Sequence, residues 1–336
     1  MKKVSRIFAV ILAVTMIFAL AACKGNTDPA VDPVDNTEML KIGVLKWVTH
    51  GALDASEDGF IAALADNGFV EGVNITIDRQ NANDDMSTAA TIGDRFVNNN
   101  MDLVLAIATP AVQVMQNKTE TIPVLGTAVT DFVEAGLVDS NDAPGKNITG
   151  ASDLTPVAEQ FDLLLKVMPD IKTVGILYNS SEDNSRIQAE TAKDVAEERG
   201  LTVEIKTFSS VNDIPQTAEA LAKNVEAFWL PTDNTLASAM SVLVEKTLGN
   251  KIPLVCGEEN MVVSGGTFTI GINYYELGYQ TGEMAVKILK GEATPATMPI
   301  EYQNNVAIVI HAVNAAEIGL EFPADILAEA TDVSAV

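Results

Sequence analysis

KIGVLKWV (41–48) and TVGILYN (173–179) are two short β-branched runs, and each is followed by a polar turn and a helical pattern that ends at a glycine. The first helix pattern covers 53–67 and stops at Gly68; the second covers 184–199 and stops at Gly200. Gly43 and Gly175 are 132 residues apart, as are Gly68 and Gly200, while Ile122-Pro123 and Ile252-Pro253 are separated by 130. Strand, helix and turn marks repeating at one spacing read as two copies of a single α/β unit.

The segments between these marks complete the pattern. In the first copy they are the strands NITIDRQNA (74–82), DLVLAIA (102–108) and IPVLGTAV (122–129), with helices at 86–100 and from Pro110. In the second they are LTVEIKTF (201–208), AFWLPTD (227–233) and IPLVCG (252–257), with helices at 213–224 and up to 248. Such βαβα alternation calls for a parallel sheet flanked by helices. The expected fold is therefore α/β with two lobes. Residues 40–150 and 274–305 form lobe I, and 151–273 with 306–332 form lobe II. The chain passes between them within 147–156, 271–275 and 302–311, and three passages make a hinge suited to closure.

Composition narrows the function. Of 336 residues 47% are hydrophobic, too many for a disordered chain, and 21 basic against 46 acidic side chains give a net charge of -25. That charge repels phosphate backbones, so no nucleic-acid partner is expected. Two cysteines and two histidines supply neither a structural zinc site nor a disulfide framework, and no cofactor or metal is expected. The first 22 residues carry Lys2, Lys3 and Arg6, an apolar run, and Leu20-Ala21-Ala22 before Cys23. This has the parts of an export signal, and the ending resembles a bacterial lipobox with Cys23 as the lipidated residue. Residues 23–39 read as a flexible tether. The expected location is outside the bacterial membrane, held to it by lipid on Cys23.

In open parallel sheets ligands sit beyond the carboxyl ends of the strands, so two facing lobes enclose a cleft lined by those turns. Thr109, before Pro110, reads as a helix N-cap suited to a carboxylate. Thr130-Asp131 and Thr232-Asp233-Asn234 follow apolar strands in the two copies, where an acid can hold an ammonium group. Asp and Asn are equally ordinary caps. Asn179, Asn184 and Ser185 belong to a polar loop after the strand at 173–179. Trp47, Phe132 and Tyr274 stand near strand ends, where a flat ligand can stack, whereas Trp229 lies inside a strand and reads as core. No nucleophile elbow, phosphate loop or dinucleotide motif occurs. Asp54 and Asn273 join the expected ligand contacts, and His50 with Asp54 or Glu57 leaves one enzymatic alternative, an exported hydrolase.

ALDASEDGF (52–60), IATPAVQ (107–113), TAVTDFVEAGLV (127–138), VGILYNSSEDNS (174–185), PTDNTLASA (231–239) and NYYELGYQTGEMAVKILKG (273–291) together resemble the ABC transporter substrate-binding lipoproteins of the tryptophan/tyrosine type. The resemblance runs over 41–323. It implies a type I periplasmic-binding-protein fold, no enzymatic activity, and delivery of a small ligand, an aromatic amino acid, to an ABC permease. It also implies that Thr109, Thr130, Asp131, Asn179, Asn184, Ser185, Asp233 and Asn234 are cleft residues. Four places depart from the family's usual pattern: Thr49-His50-Gly51, Phe132, Glu258 in Gly257-Glu258-Glu259-Asn260, and Asn273 where an acid usually precedes Tyr274. Exchange of the acid at 273 for Glu258 relocates the expected contact to the ammonium. The alternative within the same class is a ligand-sensing lipoprotein not coupled to import.

Overall fold

The computed structural model describes residues 39–335. The signal segment, Cys23 and the tether up to residue 38 lie outside the described residues. The first copy of the unit supplies β1 (Leu40–Lys46), α1 (Gly51–Asp66), β2 (Ile75–Asn81), α2 (Met86–Asn98), β3 (Leu103–Ile107), α3 (Thr109–Lys118), β4 (Val124–Val129) and β5 (Ile148–Ser152). After it come α4 (Val157–Val167), β6 (Thr173–Asn179), α5 (Asp183–Glu198), β7 (Thr202–Phe208), α6 (Ile214–Ala222), β8 (Ala227–Trp229), α7 (Asn234–Ser238), α8 (Met240–Asn250), β9 (Leu254–Val255), α9 (Glu259–Val263) and β10 (Phe268–Ile272). The chain ends with α10 (Tyr274–Leu289), β11 (Glu301–Tyr302), β12 (Val306–Ile310), α11 (Ala312–Ile318), α12 (Ala324–Glu329) and β13 (Thr331–Asp332).

The strands form two sheets, β11-β5-β4-β3-β1-β2 and β13-β12-β10-β9-β8-β6-β7. The order of the first five strands in each copy is the same, with β1 between β2 and β3 and β6 between β7 and β8. The repeat spacing in the sequence therefore has its counterpart in topology. The first sheet is parallel throughout, and the second becomes antiparallel only where β12 joins β10. Strands covered on both faces must be apolar along their whole length, which is why LVLAI and VLGTAV read as continuous runs and are buried at every position. In the second sheet Phe228 and Trp229 point to opposite faces and belong to separate cores; Trp229 stacks on Phe161 with ring centroids 6.0 Å apart.

One strand was concealed by small residues. Residues 148–152 read as part of a connection, yet they form β5, because a Cβ at Gly150 would overlap the Gly126 carbonyl and only glycine lets the two strands approach. After β12 the chain forms two short helices, α11 and α12. Gly319 at φ 82 ends the first, and Pro323 immediately precedes the second. Between the sheets the chain crosses after β5, at Asn273 after β10, and between β11 and β12. The second crossing leads directly into α10, which lies so close on α1 that side chains at Gly59 and Gly278 would meet the Tyr275 and Ser56 carbonyls. This contact fixes the start of α10, and with it Tyr274, at the carboxyl ends of the first sheet.

Candidate ligand site between the lobes

The carboxyl ends of the two sheets face one another. Between them lies a small cavity of about 10 Å3, lined from lobe I and its crossings by His50, Leu53, Ala128, Asp153 and Tyr274, and from lobe II by Thr232, Asp233, Asn234, Ala237 and Glu258. Among the described residues, hydrogen bonds across the seam include Gln113 to Asp183 at 3.0 Å, Gln188 to Thr130 at 2.9 Å, Thr235 to Asp84 at 3.1 Å, and the long His50–Asn234 contact at 3.5 Å.

The lobe I wall is built on unusual backbone. Ala108, which follows β3, and Ala128, next to last in β4, have φ of 83 and 55. Positive φ costs a residue with a Cβ about 1–3 kcal/mol, and such strain concentrates at functional turns. The turn at Ala108 corrects the N-cap assigned to Thr109: Ala108 occupies the cap position, and Thr109 is already the first helical residue. The Thr109 hydroxyl is nevertheless buried without a protein partner.

Several expected contact residues are occupied elsewhere. Asp54 points to Lys46, which also pairs with Glu57, so neither acid is available to His50 and the hydrolase dyad does not form. Asp131 caps its own turn, accepting from the amides of Val133 and Glu134 at 2.9 and 3.0 Å. Phe132 is core, packed against Gly126 where the missing Cβ makes room for its ring. Asn273 is an exposed cap that accepts from the Glu276 amide at 3.0 Å. Trp47 is buried with the lobe I core; its indole N–H lacks a well-formed bond but acts on the Asp84 carboxyl.

On the lobe II side the polar loop and the Thr-Asp-Asn turn do meet. Asp233 lines the cavity, but its oxygens accept from the Asn179 amide at 2.6 Å and the Leu236 amide at 2.8 Å, which makes it a cap and not a free acid. Burial, followed by the neighbouring charge on Glu182, pushes its carboxyl well above the usual range. Glu182 gathers the amides of Asn234 and Thr235 together with the Asn234 side chain at 2.6 Å. Asn184 reaches the Thr232 carbonyl, Ser185 bonds to Asp233, and Gln188 holds both Thr232 and Thr130.

Two acids lining the cavity retain a free oxygen. Tyr274 donates to Asp153 Oδ2 at 2.6 Å and Asn260 N–H to Glu258 Oε2 at 2.5 Å; the Thr130 hydroxyl also acts on Asp153, and the Met261 amide and Asn260 side chain on Glu258, but Asp153 Oδ1 and Glu258 Oε1 are buried with no well-formed bond. Burial pushes Asp153 up to about 6 and Glu258 to about 8. Burial first, and then the neighbouring Asp153 and Glu258 carboxyls, push the Tyr274 hydroxyl well above its usual range. Glu258 was an expected contact. Asp153 was not, because it lies in a stretch read as a connection; its position just after a strand, like that of Asp131, was the available signal. Glu182, Gln188 and Asp84 were missed as well.

Two α/β lobes of the same strand order, three crossings and a polar cavity at the facing strand ends define a two-lobed solute-binding protein. The chain belongs to the ABC transporter substrate binding protein family, whose match covers residues 41–334. It is 37% identical to the tyrosine-binding protein of Clostridioides difficile (strain R20291), over 92% of this chain and 90% of that one. It is 39% identical to a Streptococcus pneumonia ABC domain solved in complex with L-Trp, with a TM-score of 0.85 over 88% of this chain and 99% of that one. A ligand-free, open substrate-binding protein with adhesive properties from Clostridium difficile has the same identity and coverage but a TM-score of 0.68. Since identity is equal, the difference lies in the arrangement of the backbone, and this chain adopts one nearer that of the L-Trp complex.

The raised acids have a consequence for stability. Between pH 4.5 and about 8 the folded protein keeps the Glu258 proton that the unfolded chain has released, so stability falls as the pH rises through that window. Asp153 acts with the same sign between 3.8 and about 6. Thermal melts without ligand should show the wild type losing stability from pH 5 to 8 and Glu258→Gln losing less, by about 1–3 kcal/mol. Parallel pH profiles would contradict this account of Glu258.

Proposed function

We propose that this protein captures an aromatic amino acid between its lobes outside the cell membrane and presents it to an ABC permease, with lipid on Cys23 as its tether. The observation that carries the reading is the pair of buried, unpartnered carboxyl oxygens, Asp153 Oδ1 and Glu258 Oε1, on one cavity between the lobes. Without ligand Glu258 keeps its proton up to about pH 8 and no Lys or Arg lines the cavity, so a cation that enters takes the place of that proton and meets the carboxylate. An α-ammonium group supplies both charge and donors. The unpartnered Thr109 hydroxyl and the start of α3 offer a place for the α-carboxylate.

The aromatic class is supported by the relatives, one a tyrosine-binding protein and one solved with L-Trp. The expected stacking residues contribute less, because Phe132 is packed in the core and the Tyr274 hydroxyl is tied to Asp153. A cavity of about 10 Å3 takes a single ammonium-sized group, so a whole amino acid requires the lobes to stand further apart than they do here. Opening about the three crossings provides that space and the path of entry.

Titration calorimetry with L-tryptophan, L-tyrosine and L-phenylalanine tests the reading. At least one should bind, and Asp153→Asn or Glu258→Gln should each weaken it by about ten-fold to a hundred-fold. Wild-type affinity in both variants would refute the site, and binding of leucine alone would refute the aromatic class. For the tether, Cys23→Ser should abolish partition into a detergent phase, and unchanged partition would exclude lipid attachment there.

A further inference from the structure

His50 is the cavity residue with no role so far. It holds the cap position of α1 with extended backbone, φ -160 and ψ 165, and its side chain makes no capping bond, so the ring is free to face lobe II. There Nε2 lies 3.5 Å from Asn234 Oδ1. The orientation of that amide is set by Glu182, which takes the Asn234 Nδ2 donor at 2.6 Å and leaves Oδ1 toward the imidazole. Nε2 is therefore the protonated nitrogen, and in a neutral ring Nδ1 is an acceptor. Nδ1 is sealed from solvent and has no partner. Burial is the main reason the ring stays neutral, its pKa falling to about 4; Asn234 and Asp54 pull it up less strongly, and Lys46 adds to the fall.

Three residues that line the cavity, from three parts of the chain, thus each carry a buried unpartnered atom: His50 Nδ1 at the start of α1, Asp153 Oδ1 in the first crossing, and Glu258 Oε1 beside α9, the last an acceptor once its proton has left. A primary ammonium group has three N–H donors. We propose that His50, Asp153 and Glu258 form a three-acceptor cage for one primary ammonium group, with His50 selecting against amines that lack the third N–H. An N-methylated ligand has only two N–H donors and would leave one buried acceptor unpaired.

This inference rests on the reading of the cavity as an amino-acid site, and its test keeps the two apart. Calorimetry on the wild type compares L-tyrosine, L-tryptophan and L-leucine with their α-N-methyl forms. The cage requires each primary amine that binds to do so about ten-fold to a hundred-fold more tightly than its N-methyl form. Equal affinities would overturn the cage while leaving an amino-acid site intact. Discrimination within the leucine pair, with no binding of either aromatic acid, would support the cage and remove the aromatic reading. No binding of any of the six would overturn both. Two variants then separate a cage residue from a structural tie. His50→Asn keeps an acceptor near Nδ1, and His50→Gln keeps a polar group near Nε2. Preference for the primary amine should survive in His50→Asn and vanish in His50→Gln. Rescue by Gln and not Asn would mean that His50 serves only to hold Asn234.

Discussion

Asp153 Oδ1 and Glu258 Oε1 are removed from water at the seam between the lobes, and no protein donor makes a well-formed bond to either. Leaving a buried acceptor unpaired costs about 1–3 kcal/mol, and more for a charged one. Closure therefore carries a penalty that a cation at the seam removes. A two-lobed binding protein needs this asymmetry, because lobes that closed equally well without ligand would gain nothing from capturing one.

The rest of the structure places and sustains that constraint. Duplicated strand order brings two sets of strand ends face to face, one acid arriving on a crossing and the other at the start of a short helix in lobe II. Polar contacts such as Gln188 to Thr130 and Thr235 to Asp84 favour the joined arrangement, but each exchanges a water bond for a protein bond and is worth only about 0.5–1.5 kcal/mol. A few such bonds are comparable to the penalty of the unpaired oxygens. The balance between open and closed forms is accordingly close, and a single charged group can decide it. The glycine contact between α1 and α10 keeps Tyr274, and through it Asp153, in one place during that exchange.

Much of this was legible in the sequence, for identifiable reasons. Parallel strands buried on both faces leave apolar runs, so β1, β3, β4 and β6 and their repeat spacing stood out. β5 did not, because the close approach at Gly150 replaces the usual branched residues with small ones. Residue type at the strand ends was legible too, but the direction of each side chain was not. Asp131 and Asp233 turn back to cap their own backbones, and Phe132 folds beneath Gly126 into the core. Gln188 and Asp84 act across the seam, and no local pattern records a contact made between lobes. His50 was visible as an unusual residue, and its role depended on Glu182 orienting Asn234, a relation spanning 52 residues.

The most direct test of a cation-dependent closure is small-angle X-ray scattering on the two-lobed body at pH 7.5, with and without a saturating amino acid that calorimetry has shown to bind. Alone, the protein should scatter as a mixture of open and closed particles, and with ligand its radius of gyration should fall to that of the closed arrangement. Scattering that already matches the closed arrangement without ligand, or that stays open when the site is saturated, would contradict it.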